Sequence, residues 1–81
     1  MRRFQLVRRE DVSGSSGVGI VAEGVEFFDG TAAMRWRVPP HSTAFYASTA
    51  DILQIHGHGG GTALQFLDPP YIPGLDPEED R

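Results

Sequence analysis

Two apolar-rich runs, Gly17–Phe28 and Thr31–Val38, meet at Asp29-Gly30. An Asp-Gly pair between such runs specifies a tight antiparallel turn, because both residues tolerate the positive φ that matches the twist of the flanking strands. A chain of 81 residues organised around that hairpin folds as a small, mainly β domain with a single modest core. A core of this size supplies about 3–5 kcal/mol of net stability, so association with another surface would add to it.

The remaining strands follow from alternation. In Arg3–Arg9, Phe4 and Leu6 share one face and Gln5 and Val7 the other. The stretch from Glu10 to Gly17 carries two Ser-Gly pairs and reads as a loop. Within Val18–Phe28 the parity changes. Val18, Ile20 and Ala22 belong to one set, and Val25 and Phe27 to the other, so a β-bulge is expected at Gly24. In Thr31–Val38, Ala32, Met34, Trp36 and Val38 point one way and Ala33, Arg35 and Arg37 the other; Pro39-Pro40 ends the strand. Ser42–Ala47 is a short fourth strand. Ser48 is placed to cap a short helix, with Asp51 three residues on and Ile52 and Ile55 on its inner face. His56-Gly57 closes it. Thr62–Leu67 forms the last strand. The expected fold is therefore five short strands with one helix before the last, arranged as an SH3-like small barrel or as a strongly curved open sheet.

Charge divides the chain in two. Residues 1–67, the expected domain, hold six acids and six arginines and are formally neutral. Residues 68–81 hold five acids against Arg81, so the net charge of −4 resides in this proline-rich segment, expected to be disordered or docked in extended form. A neutral body gives no bulk attraction for nucleic acid. Every basic residue apart from histidine is Arg, and Lys and Asn are absent, a bias that accompanies GC-rich coding. Cysteine is absent, which removes disulfides and thiolate metal sites. No run approaches the ~20 apolar residues of a membrane span, and Met1-Arg2-Arg3 is not followed by a signal-like apolar stretch. The expected location is the cytoplasm.

Three sets of residues are candidates for function. His56 and His58, with His41, would be the ligands of a histidine-based metal site; the spacing matches no familiar zinc pattern, and His56 at a helix end has a structural role available to it. Arg35 and Arg37 on one strand, with Arg3 and Arg9 on the first, would form a basic patch for nucleic acid if those strands are neighbours. The competing role is cross-strand pairing with Glu10, Glu23 and Glu26. Pro69, Pro70, Tyr71 and Ile72 in the tail, with Arg35, Arg37 and Phe45 on outer strand faces, form a candidate protein interface, because a pre-extended segment loses little entropy on docking. The glycines at 57 and 59–61 follow a helix and enter a strand, with no Lys, which is not phosphate-loop context. No nucleophile–base spacing suggests catalysis, and no cofactor is expected.

The string Asp11-Val12-Ser13-Gly14, Ser16-Gly17, Val21-Ala22-Glu23-Gly24-Val25-Glu26-Phe27, Asp29-Gly30, Arg35-Trp36, Ser42-Thr43 and Ile55-His56-Gly57-His58-Gly59-Gly60 resembles a family of short uncharacterised proteins of actinobacterial phages and their hosts. The resemblance covers about Phe4–Asp68. It implies a phage or prophage origin and transfers no catalytic residue. The expected role is that of a non-catalytic phage accessory protein that binds itself or a host protein. A nucleic-acid-binding barrel and a metal-binding protein are the alternatives.

Overall fold

The structure is a computed structural model, and it describes residues 1–9 and 19–70, apart from the side chain of His58. Five antiparallel strands form one sheet: β1 (Arg2–Arg8), β2 (Gly19–Glu26), β3 (Ala32–Trp36), β4 (Thr43–Tyr46) and β5 (Thr62–Phe66). The order across the sheet is β4-β3-β2-β1-β5. The expected five-stranded β domain is thus present in its open form: β4 and β5 are the two outer strands and do not pair with each other. The helix α1 (Thr49–His56) and a single 3-10 turn at His58–Gly60 precede β5. α1 packs against both β4 and β5. A helix of eight residues is about 12 Å long, so the two edges of the sheet curl toward the same side to meet it.

The hairpin between β2 and β3 is one residue longer than a two-residue turn. Phe27 donates its N–H to Thr31 O at 2.7 Å, and Gly30 donates to Phe27 O at 3.0 Å. Gly30 takes φ 89°, the left-handed residue of a three-residue hairpin loop. Asp29 accepts from the Thr31 hydroxyl at 2.7 Å and from its N–H at 3.1 Å. These bonds, the hydroxyl first, hold its carboxyl below the usual carboxylate range.

The expected bulge at Gly24 is not there. The register runs through Gly24 without interruption on both sides, to Phe4 and to Met34. The shift lies three residues earlier: Leu6 faces Ala22, but Val7 faces Ile20, which leaves Val21 as the extra residue. Val21 and Ala22 are consequently both buried, while Ile20 is exposed. Gly24 has a different reason to be glycine. A Cβ there would come within 2.3 Å of the Ala33 carbonyl oxygen and 2.5 Å of the Phe4 ring. The aromatic ring occupies the place of the missing side chain.

One face of the sheet carries the core: Phe4, Leu6, Ala22, Ala32 and Met34, with Val21 and with Ile52 from α1. Trp36, Tyr46, Leu64 and Phe66 pack around it. Phe4 and Phe66, directly opposite in the β1–β5 register, meet edge to face at 6.1 Å. Arg2 lies over the Phe66 ring at 3.3 Å and pairs with Glu26 at 2.8 Å. Arg8, also on this face, is buried, and its Nε reaches Thr62 Oγ1 at 3.4 Å.

Ser48 caps α1 as expected, accepting the Asp51 N–H at 3.2 Å. The inner face of the helix is not the expected one. Ile52 is buried, but Ile55 is 61% exposed, and the half-buried partner of Ile52 is His56, four residues on. A ring that meets both Trp36 and Tyr46 takes the inward position, and Ile55 turns to solvent.

Candidate functional site

The face opposite the core is the candidate site. Strand alternation puts there the odd-numbered residues of β1 and β3, and pairing aligns them with their neighbours. One row runs Phe45, Ala33, Val25 and Arg3 across β4, β3, β2 and β1, and Leu67 extends it by donating its N–H to Arg3 O at 2.8 Å. The next row runs Thr43, Arg35, Glu23, Gln5 and Gln65. A largely apolar row thus lies beside a wholly polar one. Between them, over β1 and β2, is an open groove of about 320 Å³ lined by Arg3, Gln5, Glu23, Val25 and Leu67, with Phe4 and Gly24 contributing to its wall.

One end of the groove is fixed by charge. Asp68 accepts from Arg3 Nε at 2.9 Å, Arg3 Nη2 at 2.8 Å and the Arg3 backbone N–H at 2.7 Å. This is a bidentate fork with a backbone donor added. The side-chain bond to Arg3 is the largest cause that holds the Asp68 carboxyl well below its ordinary range, and the same partner raises the Arg3 guanidinium. Asp68 is counted by composition with the acidic segment, yet it anchors the chain to β1. Pro69 and Pro70 follow it and are exposed. Tyr71 and Ile72 lie outside the described residues.

The other interface candidates fall on this face or its margin. Phe45 is 79% exposed, the most exposed large apolar side chain among the described residues. Its neighbour Tyr46 points to the core side and is half-buried, as alternation requires. Arg35 is exposed and donates Nη1 to Thr43 Oγ1 at 3.2 Å. Arg37 is exposed, and its backbone N–H bonds Val21 O at 2.9 Å.

The strands that were to unite the arginines are not neighbours. β2 separates β1 from β3, so Glu23 stands between Gln5 and Arg35. Arg3 is occupied by Asp68. Arg9 lies beyond the opposite end of β1, where its N–H bonds Gly61 O at 2.7 Å. Arg3 and Arg35 share a face without adjoining each other.

His41 and His56 both meet Trp36. His41 Nδ1 approaches the Trp36 carbonyl at 3.3 Å. The His56 ring stands edge to face on Trp36 at 4.9 Å and on Tyr46 at 6.2 Å, and its Nε2 lies 3.2 Å from the Tyr46 hydroxyl. Burial pushes the Tyr46 phenol up. Among the described residues, no group of three or more His, Asp or Glu side chains stands where it could hold a metal ion. The backbone of His58 is in the 3-10 turn.

Sequence reasoning missed the row itself. Val25, Ala33 and Leu67 carry no distinctive chemistry, and they become a surface when the register aligns them. The signal for Asp68 was present in its place directly after the last strand, opposite Arg3 at the start of the first.

A family model described as Acb5 phage protein covers residues 1–68, which ends at the residue that clasps Arg3. No curated protein and no solved structure matches the chain.

Proposed function

The chain belongs to the Acb5 phage protein family, and from that premise we propose that it is a non-catalytic accessory protein that acts by binding another protein through the outer face of its sheet. The observation that carries this reading is the distribution of large apolar side chains. Among the described residues, five are fully buried, namely Phe4, Leu6, Val21, Met34 and Ile52, and eight are exposed: Met1, Ile20, Phe27, Phe28, Phe45, Leu53, Ile55 and Leu67. Eight exposed large apolar groups on so small a domain leave surface to cover. Of these groups, Phe45 and Leu67 end the outer-face row that runs through Ala33 and Val25.

The non-catalytic part of the reading rests on how the titratable groups are used. Arg2 holds Glu26, Arg3 holds Asp68, Asp29 holds Thr31, and His56 holds Tyr46. Each pair has a structural task in the sheet or beside it. No helix of the described residues is long and apolar enough to cross a membrane.

The test is affinity capture from phage-infected cells, with cross-linking, using the wild type and the Val25→Lys variant. Val25 lies in the middle of the row and in the wall of the groove. The expected result is a defined captured protein, cross-linked to β2 or β3, that is lost with Val25→Lys. Equal capture by both proteins, or no capture by either, contradicts the reading.

A further inference from the structure

We infer that the occupant of the β4 edge is a second copy of the same chain, paired antiparallel through β4 about a twofold axis at Ala44. This rests on the reading of the outer face as a docking surface and assigns one margin of that face a partner.

The hydrogen-bond pattern shows which groups the edge offers. Trp36 donates its N–H to Ser42 O at 2.9 Å. In an antiparallel ladder bonded and non-bonded pairs alternate, so Ser42, Ala44 and Tyr46 turn their backbone groups to β3. Thr43 and Phe45 therefore turn theirs outward. Edge strands are normally guarded by charge, proline or a bulge. The four residues of β4, Thr-Ala-Phe-Tyr, contain none of these, and their register to β3 has no shift.

The side chains on this edge are reciprocal. With the axis at Ala44, Thr43 of one copy faces Phe45 of the other, and the two pairs exchange four backbone hydrogen bonds. Phe45 then joins the row of Thr43 and Arg35 on the outer face. Arg35 on β3 already reaches across to Thr43 Oγ1 on β4, which leaves its guanidinium at the edge where the incoming ring lands, about one strand spacing (~4.8 Å) away. That is within cation–π range. Each copy supplies both the cation and the ring, so the twofold makes the contact twice. A strand of another protein would need its own aromatic and its own cation in this register. A second copy brings both by symmetry.

The contact is short, well below the ~800 Å² per partner of a standard interface, so the dimer is weak and depends on concentration. Sedimentation equilibrium of the full chain from micromolar to millimolar concentration tests it, with Phe45→Ser, Arg35→Gln and Val25→Lys measured alongside. The expected result is a monomer–dimer equilibrium whose Kd rises at least about tenfold with Phe45→Ser, rises less with Arg35→Gln, and is unchanged with Val25→Lys, which lies two strands in from the edge. Mixed-label NMR should show intermolecular contacts between Thr43 and Phe45. Far-UV circular dichroism confirms that Phe45→Ser is folded, as expected for a side chain that is 79% exposed. A monomer at millimolar concentration, or a dimer indifferent to Phe45→Ser, overturns the inference. A monomer that still captures a protein dependent on Val25 removes the second copy and leaves the docking face standing.

Discussion

Phe4 and Phe45 are the same residue in two strands of one sheet, and the sheet treats them oppositely. Phe4, on β1, is 1% exposed, sits over Gly24 and meets Phe66 edge to face. Phe45, on β4, is 79% exposed on the other face. The surroundings differ in the same sense. At the β1–β5 side the charged groups are committed: Arg2 to Glu26 and Phe66, and Arg3 to Asp68. At the β4 side the strand has no charge of its own, and Arg35 leans toward a free edge. The comparison teaches that cohesion is concentrated around β1, between β2 and β5, while the apolar surface available to a partner extends to β4.

The largest effect that would break this contrast comes from truncating the two rings. In dilute solution, Phe4→Ala should lower the unfolding free energy by about 3–5 kcal/mol, enough to unfold much of so small a domain. Phe45→Ala should change it by no more than about 0.5 kcal/mol. Urea titration of both variants decides the matter, and similar losses would erase the distinction between the regions.

A second, smaller effect sharpens the account of β2. Gly24→Ala places a methyl group against the Ala33 carbonyl and the Phe4 ring, and overpacking of that kind costs about 1–3 kcal/mol. If Gly24 were a bulge residue with space beside it, alanine would be tolerated. The parity change from Ile20 and Ala22 to Val25 marks no bulge: Ala22 faces the core and Val25 the outer face in plain alternation, and the extra residue, Val21, lies between Ile20 and Ala22. Glycine is the usual mark of a bulge, and here its absent side chain serves the ring of Phe4, a partner 20 positions away in the chain.

Other parts of the fold divide along the same line between local and distant causes. The alternation of Ala32, Met34 and Trp36 against Ala33 and Arg35, the Ser48 cap and the exposure of Phe45 beside a half-buried Tyr46 are local, and they were legible. The inward turn of His56 in place of Ile55 depends on Trp36 and Tyr46 arriving from other strands. The separation of Arg3 from Arg35 depends on the strand order. The apolar row of the candidate site is distant in origin too, since Phe45, Ala33 and Val25 become neighbours through pairing alone. Arg35, Arg37 and Phe45 could be picked out as outer-face residues, but the row they border could not.

The smallest expected effect concerns the clasp of Arg3 by Asp68. The carboxyl is held below its unfolded value by Arg3, so its contribution to stability is present above that value, near pH 4, and is lost as the pH falls through the folded one. The pair is exposed, and screening keeps its contribution small. Urea midpoints measured downward from pH 5 should fall more steeply for the wild type than for Asp68→Asn. Parallel curves would mean that the fork does not hold the end of β5 to β1.

The most direct test of the central claim, that β4 is an open edge while the β1 side is closed, is amide hydrogen exchange read residue by residue by NMR. In dilute solution Ala44 and Tyr46, bonded to β3, should exchange slowly and Thr43 and Phe45 quickly. As the concentration is raised, Thr43 and Phe45 should gain protection, while Phe4 and Leu6 in β1 stay slow throughout. Protection of Thr43 and Phe45 equal to that of Ala44 in dilute solution, or no alternation along β4 at all, would contradict the account.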